Sequence, residues 1–263
     1  MRGVYIGDGR VLVSPVWGGK LLVPAGDLSL APSLIIDGAF ELPLTKYLLK
    51  QVKTGAVVFD VGANLGYFTV LLGFLAGPAG LVVAYEPNPD LHTILSDNLA
   101  INFHHHQTTL IKKAAHSKAE TLTFHVAERF SGLSSLKERS PEGMRHNIDR
   151  VKSLTVEAEP LDIHLTHLNH VDLVKIDTEG GEFQVLSGMR QMLERKVVDV
   201  IVFEWNRVML GGDAEPLIDL LVDLRDRLGM AFFKLTEDGG LVPFSIEEAR
   251  NEEFIENIVA KRV

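Results

Sequence analysis

From Ala56 onward, apolar runs of strand length alternate with amphipathic stretches of helix length. The runs are Ala56 to Phe59, Leu81 to Tyr85, Thr109 to Ile111, Val171 to Ile176, Val197 to Phe203, Ala231 to Leu235 and Asn257 to Lys261. Between them, Leu217, Leu220, Leu221, Leu224 and Leu228 recur at helical spacing, with Asp213 as candidate N-cap and Gly229 at the far end. Phe183, Leu186, Met189 and Leu193 mark a second such face, and Leu91, Ile94, Leu95 and Leu99 a third. This alternation predicts an α/β fold: a mostly parallel seven-stranded sheet with helices on both faces. In such sheets ligands bind in the crevice beyond the carboxyl ends of the strands.

Residues 1–50 read differently. Val4-Tyr5-Ile6, Gly7-Asp8-Gly9 and Val11-Leu12-Val13 form a hairpin signal, and Leu21-Leu22-Val23 follows a Gly18-Gly19 pair. The expected organisation is a small β-rich N-terminal extension with a lead-in helix from Leu42 to Lys53, then a main domain over 51–263. Thr121 to Val126 and Leu154 to Glu157 read as added strands flanking a long loop at about 127–153. Loops of that length in a compact domain are usually functional or disordered, and this one is expected on the substrate side.

Composition narrows the picture. Of 263 residues 46% are apolar, and 26 Lys and Arg stand against 35 Asp and Glu, a net charge of −9. That argues against nucleic acid as the main partner. A basic run of Lys137, Arg139, Arg145, Arg150 and Lys152 reads as a solvated loop. Cysteine is absent, which excludes disulfides and thiolate metal sites. The N-terminus lacks the apolar core of a signal peptide, and no stretch approaches the roughly 20 apolar residues of a membrane span. A cytoplasmic protein is the default expectation, and a homodimer is compatible with it.

The candidate chemistry sits at strand ends. FDVGANLGYF (residues 59–68) follows the first strand, but Asp60 holds the place where a dinucleotide turn wants its first glycine. An acid there disfavours a pyrophosphate and suits a cationic ligand. The second strand ends in Tyr85-Glu86-Pro87-Asn88-Pro89, where a carboxylate is the usual acceptor for a ribose diol. Asn88 and Pro89 also fit the start of a helix. An acid with a glycine turn, then a ribose-type acid, fits S-adenosylmethionine (SAM), a nucleoside carrying a sulfonium. A third segment, KIDTEGGEF (residues 175–183), places Asp177, Glu179 and Glu182 around two glycines, and the next strand ends in Glu204-Trp205-Asn206. Glu182 also reads as a helix-dipole partner.

Taken in order, DVGANLGYF, YEPNP, VDLVKIDTEGGEFQVLSG and IVFEWN resemble the FkbM-type family of SAM-dependent methyltransferases. KIDTEGGE is the most specific piece, close to the family's K-I-D-x-E-G-x-E. Gly38-Ala39-Phe40-Glu41 is similar to a family G-x-[YF]-E element, and Ser131 to Leu136 resembles its mid-chain Ser/Gly loop. The resemblance covers roughly residues 35–205 and implies a Rossmann-like class I methyltransferase. It also implies O-methylation of a hydroxyl on a sugar, glycan or natural-product acceptor. The cofactor-binding set it brings is Glu41, Asp60, Gly62, Ala63, Asn64, Gly66, Tyr67, Phe68, Glu86, Pro87, Asn88, Ala115 and Asp177. Gly62 and Gly66 are expected to bring backbone close to the ligand.

For the general base Asp177 is preferred, with Glu204 next, because each ends a strand where the methyl group should emerge. Ser131, Glu179 and Glu182 are expected to meet the acceptor. A Mg²⁺ ion bridging Asp177, Glu179 and Glu204 is left open but not selected, since spacing along the chain does not show that the oxygens converge. His104, His105 and His106 read as a solvated loop. His116 falls just past the third strand, and His164, His167 and His170 read as surface or satisfied core histidines rather than metal ligands. Alternatives are an N-methyltransferase on RNA or protein, disfavoured by D-T-E-G where such enzymes carry N/D-P-P-[FY], and a SAM-binding protein without catalysis. A nicotinamide dehydrogenase is disfavoured by the missing first glycine.

Overall fold

The computed structural model describes residues 2–137 and 149–263. Its first elements are β1 (Gly3–Gly7), β2 (Arg10–Val13) and β3 (Leu21–Pro24), an antiparallel sheet in that order. Asp8 and Gly9 both hold positive φ, as a two-residue hairpin requires. A short helix absent from the sequence reading, α1 (Ala31–Ile36), precedes α2 (Leu42–Gln51). The buried Asp27 starts it, accepting from the Leu30 and Ala31 amides at 2.9 and 3.1 Å.

The main sheet begins with β4 (Val57–Val61), α3 (Tyr67–Ala76), β5 (Leu81–Tyr85), α4 (Pro89–Ile101) and β6 (Thr108–Ile111). A second small sheet, ordered β7-β9-β8, is made by β7 (Ala114–Ala115), β8 (Glu120–Ala127) and β9 (Val151–Glu159). The chain then runs through β10 (Val171–Ile176), α5 (Glu182–Ser187), α6 (Arg190–Glu194) and β11 (Val198–Asn206). After these come α7 (Arg207–Leu210), α8 (Ala214–Asp226), β12 (Met230–Leu235), β13 (Leu241–Pro243), α9 (Ile246–Ala249) and β14 (Phe254–Arg262). The strand order is β13-β12-β14-β11-β10-β4-β5-β6. From β11 to β6 the neighbours are parallel, whereas β14, β12 and β13 pair antiparallel. The eighth strand, β13, is three residues long and ends in proline, so no apolar run announced it.

Period-2 alternation sends the two faces of the strands into two cores. Phe59, Val61, Val174, Ile176, Ile201 and Phe203 pack with α5 and α8, while Val58, Leu173, Val200 and Val202 pack with α2 and α3. The second core also takes in Val11, Val13, Leu21 and Val23 of the N-terminal sheet. Asn98 of α4 clamps that sheet down. Its carboxamide accepts from the Leu22 amide at 2.6 Å and donates to the Leu22 and Leu65 carbonyls.

Three local expectations need correction. The helix expected across Phe183 to Leu193 is two helices, because the chain bends at Gly188, where a Cβ would meet the His116 carbonyl at 2.1 Å. Asp213 makes no side-chain cap to α8 and instead pairs with Lys137 at 2.9 Å. Lys137 is therefore anchored, also donating to the Leu210 carbonyl, and Lys152 pairs with Asp90. Arg139 and Arg145 of the basic run lie outside the described residues. Among the described residues no helix is long and apolar enough to cross a membrane.

Candidate functional site

The carboxyl ends of β4, β5, β10 and β11 open into one cavity of about 490 Å³, within the range of small-molecule sites. Its wall brings together most of the residues singled out in the sequence. From the turn after β4 come Gly62, Ala63, Asn64, Tyr67 and Phe68, and from the end of β5 come Glu86 and Pro87. Ala115 and Ser131 line it from the small sheet and the loop beyond, and Glu41 from the segment before α2. Asp177, Glu179 and Glu204 complete it.

Glu86 is held before any ligand arrives. Its Oε2 accepts from the Asn64 amide at 2.8 Å and its Oε1 from the Asn88 amide at 2.7 Å. Burial pushes its pKa up to about 7 against the pull of these two amides. A carboxylate offers about four lone-pair sites, so each oxygen keeps capacity for a hydroxyl donor. Asn64 sits at φ 52°, and Glu41 and Glu179 also hold left-handed backbone at 41° and 55°. Non-glycine residues in that region cost energy and concentrate at ligand clamps. Three of them on one cavity wall therefore single out this wall.

Four expected site residues lie off the wall. Asp60 is fully buried beneath the turn, its Oδ2 accepting from the Thr69 hydroxyl at 2.6 Å and its Oδ1 3.4 Å from the Lys175 ammonium. Gly66 is required by its backbone, at φ +95°, and a Cβ there would also push aside the tip of Leu95. Gly62 borders the cavity, but its missing Cβ makes room for the Asp177 carbonyl, which would stand 1.8 Å away. Asn88 caps α4 by accepting from the Asp90 amide at 3.1 Å. Glu182, expected to meet acceptor hydroxyls, turns back under its own helix. It accepts from the Thr178 amide and hydroxyl at 3.0 and 2.9 Å, and its pKa is raised by burial.

The acids at β10 and β11 crowd together. Asp177, Glu179 and Glu204 each offer an oxygen within 4.8 Å of the others, a spacing that a hard divalent cation would also accept. Burial, then repulsion from Asp177, Glu179 and Glu182, pushes Glu204 up to about 9. Burial and Asp177 push Glu41 up to about 8. Among the described lining residues seven are acids (Asp37, Glu41, Glu86, Asp177, Glu179, Glu204, Glu256) and two are lysines (Lys113, Lys175). Such a surplus suits a positively charged ligand.

Sequence reasoning missed Lys175, Lys113, Phe40 and Glu256. Lys175 had a signal, as the one charge between Val174 and Ile176 in an apolar strand. Glu256 had none, being carried to the wall only because β14 inserts beside β11. Among the described residues the histidines stay off the wall. His105, His106, His167 and His170 are exposed, His164 bonds the Tyr85 hydroxyl at 2.7 Å, and His116 faces Glu120 at 3.1 Å.

A family model described as the methyltransferase FkbM domain matches residues 60–232. The chain is 24% identical over 196 residues to methyltransferase sdnD of Sordaria araneosa, covering 66% of this chain and 75% of that protein. It is 24% identical over 204 residues to hexuronic acid methyltransferase AglP of Haloferax volcanii, covering 77% and 75% respectively. Among solved structures, the O-methyltransferase TomG of Streptomyces achromogenes in complex with SAM aligns with a TM-score of 0.45 and 14% identity. That alignment covers 85% of this chain and 79% of TomG.

Proposed function

The chain belongs to the FkbM methyltransferase family, and from that premise we propose that it transfers a methyl group from SAM to a hydroxyl oxygen of a sugar, glycan or natural-product acceptor. The observation that carries this reading is that one cavity is lined both by Asn64 and Glu86 and by the paired acids Asp177 and Glu204. The donor set fits SAM: Glu86 retains lone pairs for ribose hydroxyls, and the acid surplus offsets a sulfonium charge.

When bound, SAM supplies an electrophilic methyl group whose S–C bond breaks as the O–C bond forms, the electron pair remaining on sulfur. The residues of the chain position the acceptor hydroxyl and take its proton. Glu86, Asn64 and Glu41 orient the cofactor, and Ser131 and Glu179 meet the acceptor. Two facts move the preferred base from Asp177 to Glu204. Asp177 is engaged by the Lys175 ammonium at 3.2 Å, which holds its Oδ2 toward the turn after β4. Glu204 is crowded by other acids, so a positive charge entering the cavity favours its ionised form beside the hydroxyl.

The test starts with calorimetric titration of chelator-treated protein with SAM and, separately, NAD. It continues with transfer of labelled methyl from SAM to a panel of D-glucose, D-glucosamine and D-glucuronic acid. Saturable SAM binding without NAD binding, and turnover without added metal, are the expected results. Glu86→Ala should weaken SAM binding by about 10-fold or more while the fold holds, the order expected for loss of one charged hydrogen bond. Wild-type affinity in that variant would remove the ribose role.

A further inference from the structure

We propose that Lys175 is a positioning residue for proton removal. Its ammonium pins the Asp177 carboxylate to the turn after β4, so that the acceptor's proton passes to Glu204. This rests on the methyl-transfer reading above.

Lys175 lies in the middle of the main sheet, where its backbone registers with Asp60 of β4 and Val202 of β11. Its side chain is 4% exposed. The ammonium stands 3.2 Å from Asp177 Oδ2, 3.4 Å from Asp60 Oδ1 and 3.5 Å from the Gly62 carbonyl, and 5.0 Å from the centroid of the Phe68 ring. The contacts to Asp177 and to the Gly62 carbonyl are hydrogen bonds, and the one to Asp60 is an ion pair. Of these oxygens, one belongs to the strand before the turn, one to the turn itself and one to the end of β10. The Asp177 amide also donates to the Val61 carbonyl at 3.0 Å, so backbone and side chain stitch the same two strand ends together.

Stability does not account for this lysine. A buried ion pair seldom outperforms apolar packing, because desolvation consumes the Coulombic gain. β10 is otherwise filled with apolar residues on both faces, apart from Asp172 at its start. What the ammonium does accomplish is local: it fixes one of the two strand-end carboxylates and leaves the other, Glu204, free of it. Without the cation, the buried Asp60 carboxylate would lose its counter-charge, and the partly exposed Asp177 carboxylate would lose the contact that holds it to the turn.

The experiment compares the wild-type chain with Lys175→Met, Lys175→Arg, Asp177→Asn and the double variant Lys175→Met/Asp177→Asn. Thermal melts check folding, calorimetry gives the SAM Kd, and methyl transfer to the best panel sugar gives kcat. Lys175→Met should lower kcat about 30-fold or more while the SAM Kd moves less than about 5-fold, and Lys175→Arg should recover part of the loss. The double variant should lose no more than the worse single variant, because residues acting through each other are non-additive. It also removes the uncompensated charge, so it tests the idea if Lys175→Met alone fails to fold. Additive losses, or kcat falling only in step with melting temperature, would overturn the proposal. No wild-type turnover on any panel sugar would remove the methyl-transfer reading itself, whereas wild-type turnover matched by both Lys175→Met variants would remove this inference alone.

Discussion

The two halves of the cavity wall treat their carboxylates in opposite ways. Around the turn after β4, Glu86 has two amide donors and Asp60 has the Thr69 hydroxyl and the Lys175 ammonium. At the ends of β10 and β11, Glu204 faces Asp177, Glu179 and Glu182, and repulsion adds to burial. The carboxylates of the first half are already oriented by donors and therefore preorganised, which keeps the cost of ordering at binding low. The second concentrates acids whose mutual repulsion a cation or a proton relieves. On the proposed reading, the binding half and the proton-accepting half differ in how closely their acids crowd one another.

The comparison breaks hardest at Gly62, where the halves touch. An alanine there places its Cβ 1.8 Å from the Asp177 carbonyl at φ +80°, and backbone cannot swing aside. Gly62→Ala is expected to cost roughly 3–5 kcal/mol in denaturant melts, the scale of a steric clash that the backbone cannot relieve. Gly66→Ala meets the movable tip of Leu95 instead and should cost about 2 kcal/mol, mostly from its left-handed backbone. Equal costs would show that the close approach at Gly62 is not the constraint.

Glu204→Gln should separate function from stability. Methyl transfer is expected to fall about 100-fold with loss of the base, while thermal stability at pH 8 rises. Folding raises this pKa from 4.5 to about 9. The carboxyl therefore costs nothing below about pH 4.5, where folded and unfolded chains both hold the proton. The cost grows as pH climbs toward 9, so the melting-temperature gain of the glutamine variant should be near zero at pH 4 and increase through pH 8. A gain independent of pH would place its origin in packing instead of charge.

The smallest effect is expected at Ser131, whose hydroxyl donates to Asn64 Oδ1 at 3.3 Å. Ser131→Ala should change the SAM Kd by less than about 3-fold, the scale of one long neutral hydrogen bond. A larger change would extend the preorganised half to the loop after β8.

Much of the fold was legible because apolar periodicity reports burial directly. The seven expected strands all occur, with ends moved by a few residues at most, and the Gly-Asp-Gly hairpin forms as its turn residues require. What escaped was short or interrupted: β13 with its terminal Pro243, α1, and the break at Gly188. In the site, residues at the strand ends after β4, β5, β10 and β11 were legible as one crevice, because parallel topology carries all those ends to one edge. Their individual tasks were not.

By itself, then, the sequence determined the layered α/β architecture, the family, and the location of the ligand cavity at the carboxyl ends of the parallel strands. These follow from local periodicity and from motifs contiguous in the chain. Only the tertiary structure decided that Asp60 and Glu182 are buried supports, and that Gly62 makes room for a backbone carbonyl. It also decided that Glu256 reaches the cavity and that Lys175 joins Asp60 to Asp177. The physical reason is range. Periodicity is set by the nearest few residues, whereas a carboxylate's role depends on which donors and charges lie within a few ångströms, and here those come from segments more than a hundred residues apart in the chain.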